Sequence, residues 1–288
     1  MKKVIFLGAG SEKDPGYEGC YDKKGLAEKG ITVIEPMVIE SCHGCPDLMT
    51  KYSGQMQSLV EKGDRVVGVL QGGLLFGLPS IQATQVTYPI ISCPLDLVAY
   101  TAFITPPGHA AIATVGIDRK KDEKYETNQR QKAIMLAEKM LNLESQTIAL
   151  IGDGDLEKIA KELDNLGIRT HDSSALVLTY GHMPQPAGSD CIQLWAHCAE
   201  NLMSGTYLER AEAVINMDPD SVNAAQVRAS NLAIYAAKIL SLQNPELREK
   251  IKGIAKKKRA GYPDRDLLAE LGGIERRLSE PPCKLGGK

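Results

Sequence analysis

Short apolar blocks, each closed by glycine or a polar turn, alternate along this chain with longer stretches that have helical spacing. Val4–Leu7 is an apolar run ending at Gly8, the pattern of a strand buried on both faces. Ile31–Ile39 reads as a second strand, and Asp47–Lys62 as a helix with Leu48, Tyr52, Met56 and Leu59 on one side. Val66–Leu70 is strand-like and runs into Gly72-Gly73; Pro79–Val86 fits a short helix. Ile90-Ile91 is a brief strand, Ile112–Ile117 another, and Gln129–Leu141 a helix rich in Ala, Ile, Met and Leu. Strands alternating with helices predict an α/β fold with a doubly wound, mostly parallel sheet, which binds ligands at the carboxyl ends of its strands.

After Asn142–Gln146, which reads as a linker, the pattern restarts. Thr147–Ile151 ends at Gly152 much as Val4–Leu7 ends at Gly8. Leu156–Leu166 has helical spacing, Ala175–Thr179 and Ala213–Met217 are strand-like, and Asn231–Leu240 is a helix. Its end, Tyr235-Ala-Ala-Lys-Ile-Leu240, echoes Leu136-Ala-Glu-Lys-Met-Leu141, and the apolar-Asp pairs Ile117-Asp118 and Met217-Asp218 precede the two helices. These echoes predict two diverged repeats, 1–142 and a shorter 147–244, followed by a charged helix and tail over 245–288 that is disordered from Ser279.

Composition narrows the class. The chain has 288 residues, 43% hydrophobic and 24% charged, enough for one large or two ordinary globular domains. With one Trp and three Phe, its core must be aliphatic. A net charge of -2 argues against nucleic acid as partner, and Lys256-Lys257-Lys258-Arg259 reads as a solvated helix face. The apolar run after Met1-Lys2-Lys3 is too short for a signal peptide, and no stretch reaches the length of a membrane span. The seven cysteines are then expected as reduced thiols in the cytoplasm.

Several strand-end loops could carry chemistry. Gly8-Ala9-Gly10-Ser11 could hold a phosphate on exposed backbone N–H groups, or be a tight turn only. Ser41-Cys42-His43-Gly44-Cys45-Pro46 lies between a strand and a helix; His43 could move protons there or simply cap the helix. Cys42 and Cys45 also form a Cys-x-x-Cys, open to redox use or to a metal site completed by Cys191, His197 and Cys198. The run from Cys191 to Cys198 reads more easily as a buried strand and its exit, so no metal is expected. Gly72-Gly73-Leu74-Leu75-Phe76-Gly77-Leu78 allows close approach of backbone to ligand, and Tyr88–Pro94 is a short buried strand with prolines. His109, in a Pro-Pro-Gly turn, is expected to be exposed. His182, in Tyr180-Gly181-His182-Met183-Pro184, follows a strand, whereas His171 beside Asp172 reads as a surface pair.

Together these loops resemble the aminoimidazole ribonucleotide (AIR) carboxylase/mutase family of purine biosynthesis over most of the first half. Gly10-Ser11-Glu12-Lys13-Asp14 is similar to its Gly-Ser-x-Ser-Asp phosphate loop, and Ser41–Pro46 to its Ser-Ala-His-basic-Pro loop. Gly73 through Leu78 and Tyr88 through Pro94 match the Gly-x-x-x-Gly-Leu and Tyr-Pro-Val-Ile-Ser-Cys-Pro segments of the branch that uses carbon dioxide. The segments Ile112–Leu141 and Pro245–Arg259 fit its last strand, its Asn-Ala-Ala-rich helix and its tail helix.

The resemblance implies a three-layer sandwich and an octamer of single domains, hence a homotetramer with a pseudo-octameric core for a tandem chain. It implies an AIR substrate held by Gly8, Gly10, Ser11, Asp14, Ser41, Gly44, Gly72, Gly73, Gly77 and Leu78. Carbon dioxide or bicarbonate would be the co-substrate, with no cofactor, and His43 would take the proton from the ring carbon. The departures are specific. Gly44 stands where the family has a cation, Glu12 adds a negative charge to the first loop, and Leu95–Pro107 is shorter than its counterpart. The second half lacks the central His loop, yet Gly181-His182-Met183-Pro184 looks like the mutase branch's Ala-His-Leu-Pro. A composite site, His43 from one repeat and His182 from another, is therefore expected. The mutase reaction, a non-catalytic nucleotide-binding homologue and a Cys42/Cys45 redox protein are the alternatives.

Overall fold

The computed structural model describes residues 1–11, 14, 16–35, 46–73, 77–96, 108–116, 125–152, 156–181, 190–197, 224–228 and 231–260. The first half contributes strands β1 (Lys3–Ala9), β2 (Ile31–Ile34), β3 (Arg65–Gly72), β4 (Ile90–Pro94) and β5 (Ala113–Thr114). Its helices are α1 (Lys23–Glu28), α2 (Pro46–Glu61), α3 (Leu78–Gln85) and α4 (Tyr125–Asn142). The second half contributes β6 (Thr147–Gly152), β7 (Arg169–Thr170), β8 (Leu176–Gly181), β9 (Ile192–His197) and β10 (Ala224–Val227), with α5 (Leu156–Asn165), α6 (Leu232–Leu240) and α7 (Pro245–Ala260).

Among the described residues the strands form one ten-stranded sheet in the order β2-β1-β3-β4-β5-β10-β9-β8-β6-β7. Each half repeats the same winding, and the halves meet where β5 pairs with β10. That pair is antiparallel, with Gln226 opposite Thr114, whereas the pairings within each half are parallel. The two repeats are thus related by a pseudo-two-fold through the β5–β10 seam. The carboxyl ends of the strands in the two halves point to opposite edges of the sheet.

Layering follows from strand alternation. In β1, Ile5 and Leu7 face one core, shared with α1, α4, α5, α6 and α7; Val4 and Phe6 face the other, shared with α2 and α3. Because both faces are covered, the centres of the first-half strands are mostly apolar, as a doubly wound sheet requires. Helix α6 is buried almost all round, since it bridges the halves: the Tyr235 hydroxyl donates to the Ile90 carbonyl at 3.0 Å, and Lys238 Nζ to the Ala111 carbonyl at 3.5 Å. Helix α7 locks the join, with Arg248 donating to the Val60 carbonyl at 2.6 Å and the Ser241 carbonyl at 3.2 Å.

The observed elements differ from expectation in a few places. The strand expected over Ile112–Ile117 is only Ala113–Thr114, and Ile31–Ile39 is a strand over Ile31–Ile34, with 36–40 outside the described residues. Ala213–Met217, Met217-Asp218 and the tail from Ser279 also lie outside them. The strand in β5's place is β10, whose Ala-Ala-Gln-Val sequence has little strand character of its own. The Cys191–Cys198 run does hold a buried strand, β9, as expected. Lys256, Lys257 and Lys258 are exposed on α7, the solvated face expected of them.

Candidate functional site

The carboxyl ends of β1, β3, β4 and β5 share one edge of the sheet. On the α2/α3 side Gly8, Ser92 and Thr114 share one level with the buried Leu70, and Gly72 lies one step further along β3, opposite Pro94. Small residues there leave room above the core. Thr114 Oγ1 donates to the Ser92 carbonyl at 3.3 Å, tying the two hydroxyl-bearing strands together. The Leu95 amide donates to the Gly72 carbonyl at 3.0 Å and extends the β3–β4 pairing by one step. This brings Asp96 over Gly73: a Cβ at Gly73 would lie 2.7 Å from Asp96 Oδ2. Asp96 was missed in the sequence, although its position just past a buried strand is the place where doubly wound sheets keep ligand groups.

Gly77 and Leu78 serve the start of α3. Gly77 is its N-cap residue, and its carbonyl accepts from the Ile81 amide at 3.0 Å and from Ser80 Oγ at 2.9 Å. Leu78 is wholly buried in the α2/α3 core. The first loop is also partly self-satisfied. The Gly10 amide donates to the Gln71 carbonyl at 3.0 Å, and the Asp14 amide to the Ser11 carbonyl at 3.1 Å. Those two N–H groups close the turn instead of facing solvent, unlike the exposed donors expected from the glycine pattern.

Behind this turn, on the α1/α4 side, Tyr17 and Arg130 are both buried. The Tyr17 hydroxyl donates to the Gly8 carbonyl at 2.9 Å. Burial pushes the Tyr17 phenol well above its ordinary pKa; Cys93, Asp14 and Cys20 add to the rise, and the positive charge of Arg130 opposes it. Arg130 comes from the second turn of α4, whose amino end stands at this same edge, and is 5% exposed.

Ser41, Cys42, His43, Gly44, Cys45 and His182 lie outside the described residues, as do His197's side chain and Cys198. Their flanks are informative. Helix α2 begins at Pro46, so the central loop leads into a helix that covers the first half's ligand edge. Gly181 ends β8, whose carboxyl end lies at the opposite edge of the sheet. The residues that flank the two histidine loops, Pro46 and Gly181, therefore stand at opposite edges of the sheet. His109 is half-buried in a 3-10 turn with its Nδ1 covered, and not exposed as expected. His171 is exposed and bonds its own turn, with Nδ1 2.9 Å from the Ser173 carbonyl. Among the described residues no group of His, Cys, Asp and Glu could hold a metal, and no helix is long and apolar enough to cross a membrane.

No family model matches the chain. Among curated proteins, the N5-carboxyaminoimidazole ribonucleotide mutase of Methanocaldococcus jannaschii is 27% identical over 135 residues, which cover 43% of this chain and 75% of that protein. With a doubly wound half-sheet, and with strand-end loops that fit in order, the chain is a distant relative of the aminoimidazole ribonucleotide carboxylase/mutase family.

Proposed function

We propose that the chain places a carboxyl group on the ring carbon of 5-aminoimidazole ribonucleotide, at the carboxyl edge of its first half-sheet. The observation that carries this reading is the set of small residues near the strand ends on the α2/α3 side, Gly8, Ser92 and Thr114 on one level with Leu70 and Gly72 one step beyond, which suits a flat heterocycle above a closed core. In the leading form the ring carbon attacks carbon dioxide, a carbon–carbon bond forms, and His43 takes the proton from that carbon. Positioning of the ring beside carbon dioxide in a dry pocket supplies most of the acceleration. Asp96, whose carboxylate lies beside Gly73, would orient the exocyclic amine. Neither form of the reaction calls on a cofactor. The assembly proposed is a homotetramer, so that a second chain can bring its His182 to the His43 edge.

A second form is favoured by the name of the M. jannaschii relative: the mutase reaction, in which the carboxyl group moves from the exocyclic nitrogen to the ring carbon. Supplying 13C-bicarbonate with 5-aminoimidazole ribonucleotide, or the N-carboxylated nucleotide without bicarbonate, separates the two. Label on the ring carboxyl in the first assay supports the carboxylase; bicarbonate-independent conversion in the second supports the mutase. Conversion in neither sinks both.

A further inference from the structure

We propose that Arg130 is the cation of an oxyanion subsite at the carboxyl edge of the first half, formed by its guanidinium with the amino-terminal turn of α4.

Arg130 is buried to 95%, with 5% of its surface exposed, and its Nε and Nη1 have no hydrogen-bond partner. Its Nη2 reaches Thr127 Oγ1 at 3.4 Å, a long contact toward the amino end of the helix. A guanidinium keeps its charge under ordinary conditions and carries five N–H donors, so burial with most of them unmet is unfavourable unless an acceptor completes the set. The helix itself adds to the demand. Helix α4 runs from Tyr125 to Asn142, and its unpaired N–H groups and positive dipole end lie on the same side as the guanidinium. Two independent sources of positive potential therefore converge at one edge.

Geometry ties this potential to the first loop. Tyr17 is anchored to the Gly8 carbonyl, and its hydroxyl feels both Arg130 and Asp14, so the three groups share one buried neighbourhood. The chemistry that fits is a compact oxyanion with several acceptor oxygens, a phosphate monoester or free phosphate. In the second half the helical echo aligns Arg130 with Ala229, so the cation belongs to the first half alone. The subsite rests on the reading above only for which phosphorylated molecule fills it.

The test uses the full chain, with inorganic phosphate and ribose 5-phosphate as probes, read by calorimetric titration and by melting temperature. The wild type should bind both saturably; Arg130→Met should bind each at least tenfold more weakly, and Arg130→Lys should retain part of the affinity. Without ligand, Arg130→Met should melt no lower than the wild type, because the Nε and Nη1 donors it removes are buried with no hydrogen-bond partner. Tighter binding of ribose 5-phosphate than of phosphate assigns the subsite to a sugar phosphate; equal binding assigns it to the free anion. The proposal is overturned if the wild type binds neither probe, if Arg130→Met binds phosphate as the wild type does, or if Arg130→Met without ligand melts far lower or does not fold. Arg130-independent phosphate binding with normal turnover removes the subsite and leaves the proposed reaction. Arg130-dependent binding with no turnover on any aminoimidazole ribonucleotide removes the reaction and leaves the subsite.

Discussion

The two halves of the sheet share a strand order but differ in what crosses between their strands. From β2 to β3 the first half inserts the central loop and the sixteen-residue helix α2. From β7 to β8 the second half has only residues 171–175, which pass beneath β6. A small hydroxyl network holds this short crossing: Ser174 Oγ donates to the Thr147 carbonyl at 2.6 Å and lies 2.9 Å from Ser145 Oγ. Glycines persist at the strand ends in both halves, as Gly8 and Gly72 in one and Gly152 and Gly181 in the other. Arg130, by contrast, faces Ala229 in the echo. The duplicated features are those the core demands, namely the sheet and the helices of one face. The unduplicated ones are those a ligand would use.

The contrast is most sharply broken by catalysis. His43→Ala should lower turnover by roughly a thousandfold, the scale of a lost general base. Because the flanks of the two histidine loops stand at opposite edges, His182→Ala should match that loss only if two chains build the site. In that case, mixing the two inactive variants should restore part of the rate through hybrid oligomers. An unchanged rate for His182→Ala ends the composite site.

Next in size is the seam between the halves. Burial lowers the Lys238 amine to about 7, against an ordinary value of about 10.4. Between those values the unfolded chain holds the proton and the folded one does not, so stability rises with pH across this window, and the penalty is complete below it. Lys238→Met should remove that rise and stabilise the protein below pH 7 by roughly 2–5 kcal/mol, measured by urea unfolding at several pH values. A variant that is less stable at pH 6 would show that the Ala111 contact outweighs the buried charge.

Smaller effects separate structural from ligand glycines. Gly152 has φ +148°, and a Cβ there would lie 1.8 Å from the Tyr180 carbonyl oxygen. Gly152→Ala should cost about 2–3 kcal/mol in chemical unfolding. Gly73→Ala meets only the tip of Asp96, a side chain that can turn away. It should cost less than about 1 kcal/mol while weakening substrate affinity, seen as a raised KM. Least of all, Lys29→Ala removes an exposed pair with Glu138 and should leave the unfolding midpoint unchanged.

Much of the first half was legible because its elements obey periodicity. The apolar run Val4–Leu7, the helical spacing of Leu48, Tyr52, Met56 and Leu59, and the terminal glycines of β1 and β3 each report local geometry. What was hidden depends on long-range placement. Lys238 sits in Tyr-Ala-Ala-Lys-Ile-Leu, where a lysine reads as the solvent side of a helix; only the docking of α6 across the seam buries it. Arg130 reads in the same way, yet it is buried, while the family's cation position is occupied here by Gly44. Asp96 becomes notable only once Leu95 pairs with Gly72. The antiparallel β5–β10 seam has no local signature, because Ala-Ala-Gln-Val gains its strand character from its neighbours.

The proposed function gives the first half carboxyl chemistry on an aminoimidazole ribonucleotide, with His43 as the proton acceptor. Its most direct test is nuclear magnetic resonance of the full chain with that nucleotide, supplied first with 13C-bicarbonate and then as the 13C-labelled N-carboxy form. The wild type should yield the labelled ring carboxylate in one of the two assays, and His43→Ala should yield none. No labelled product from the wild type, or equal product from His43→Ala, would contradict it.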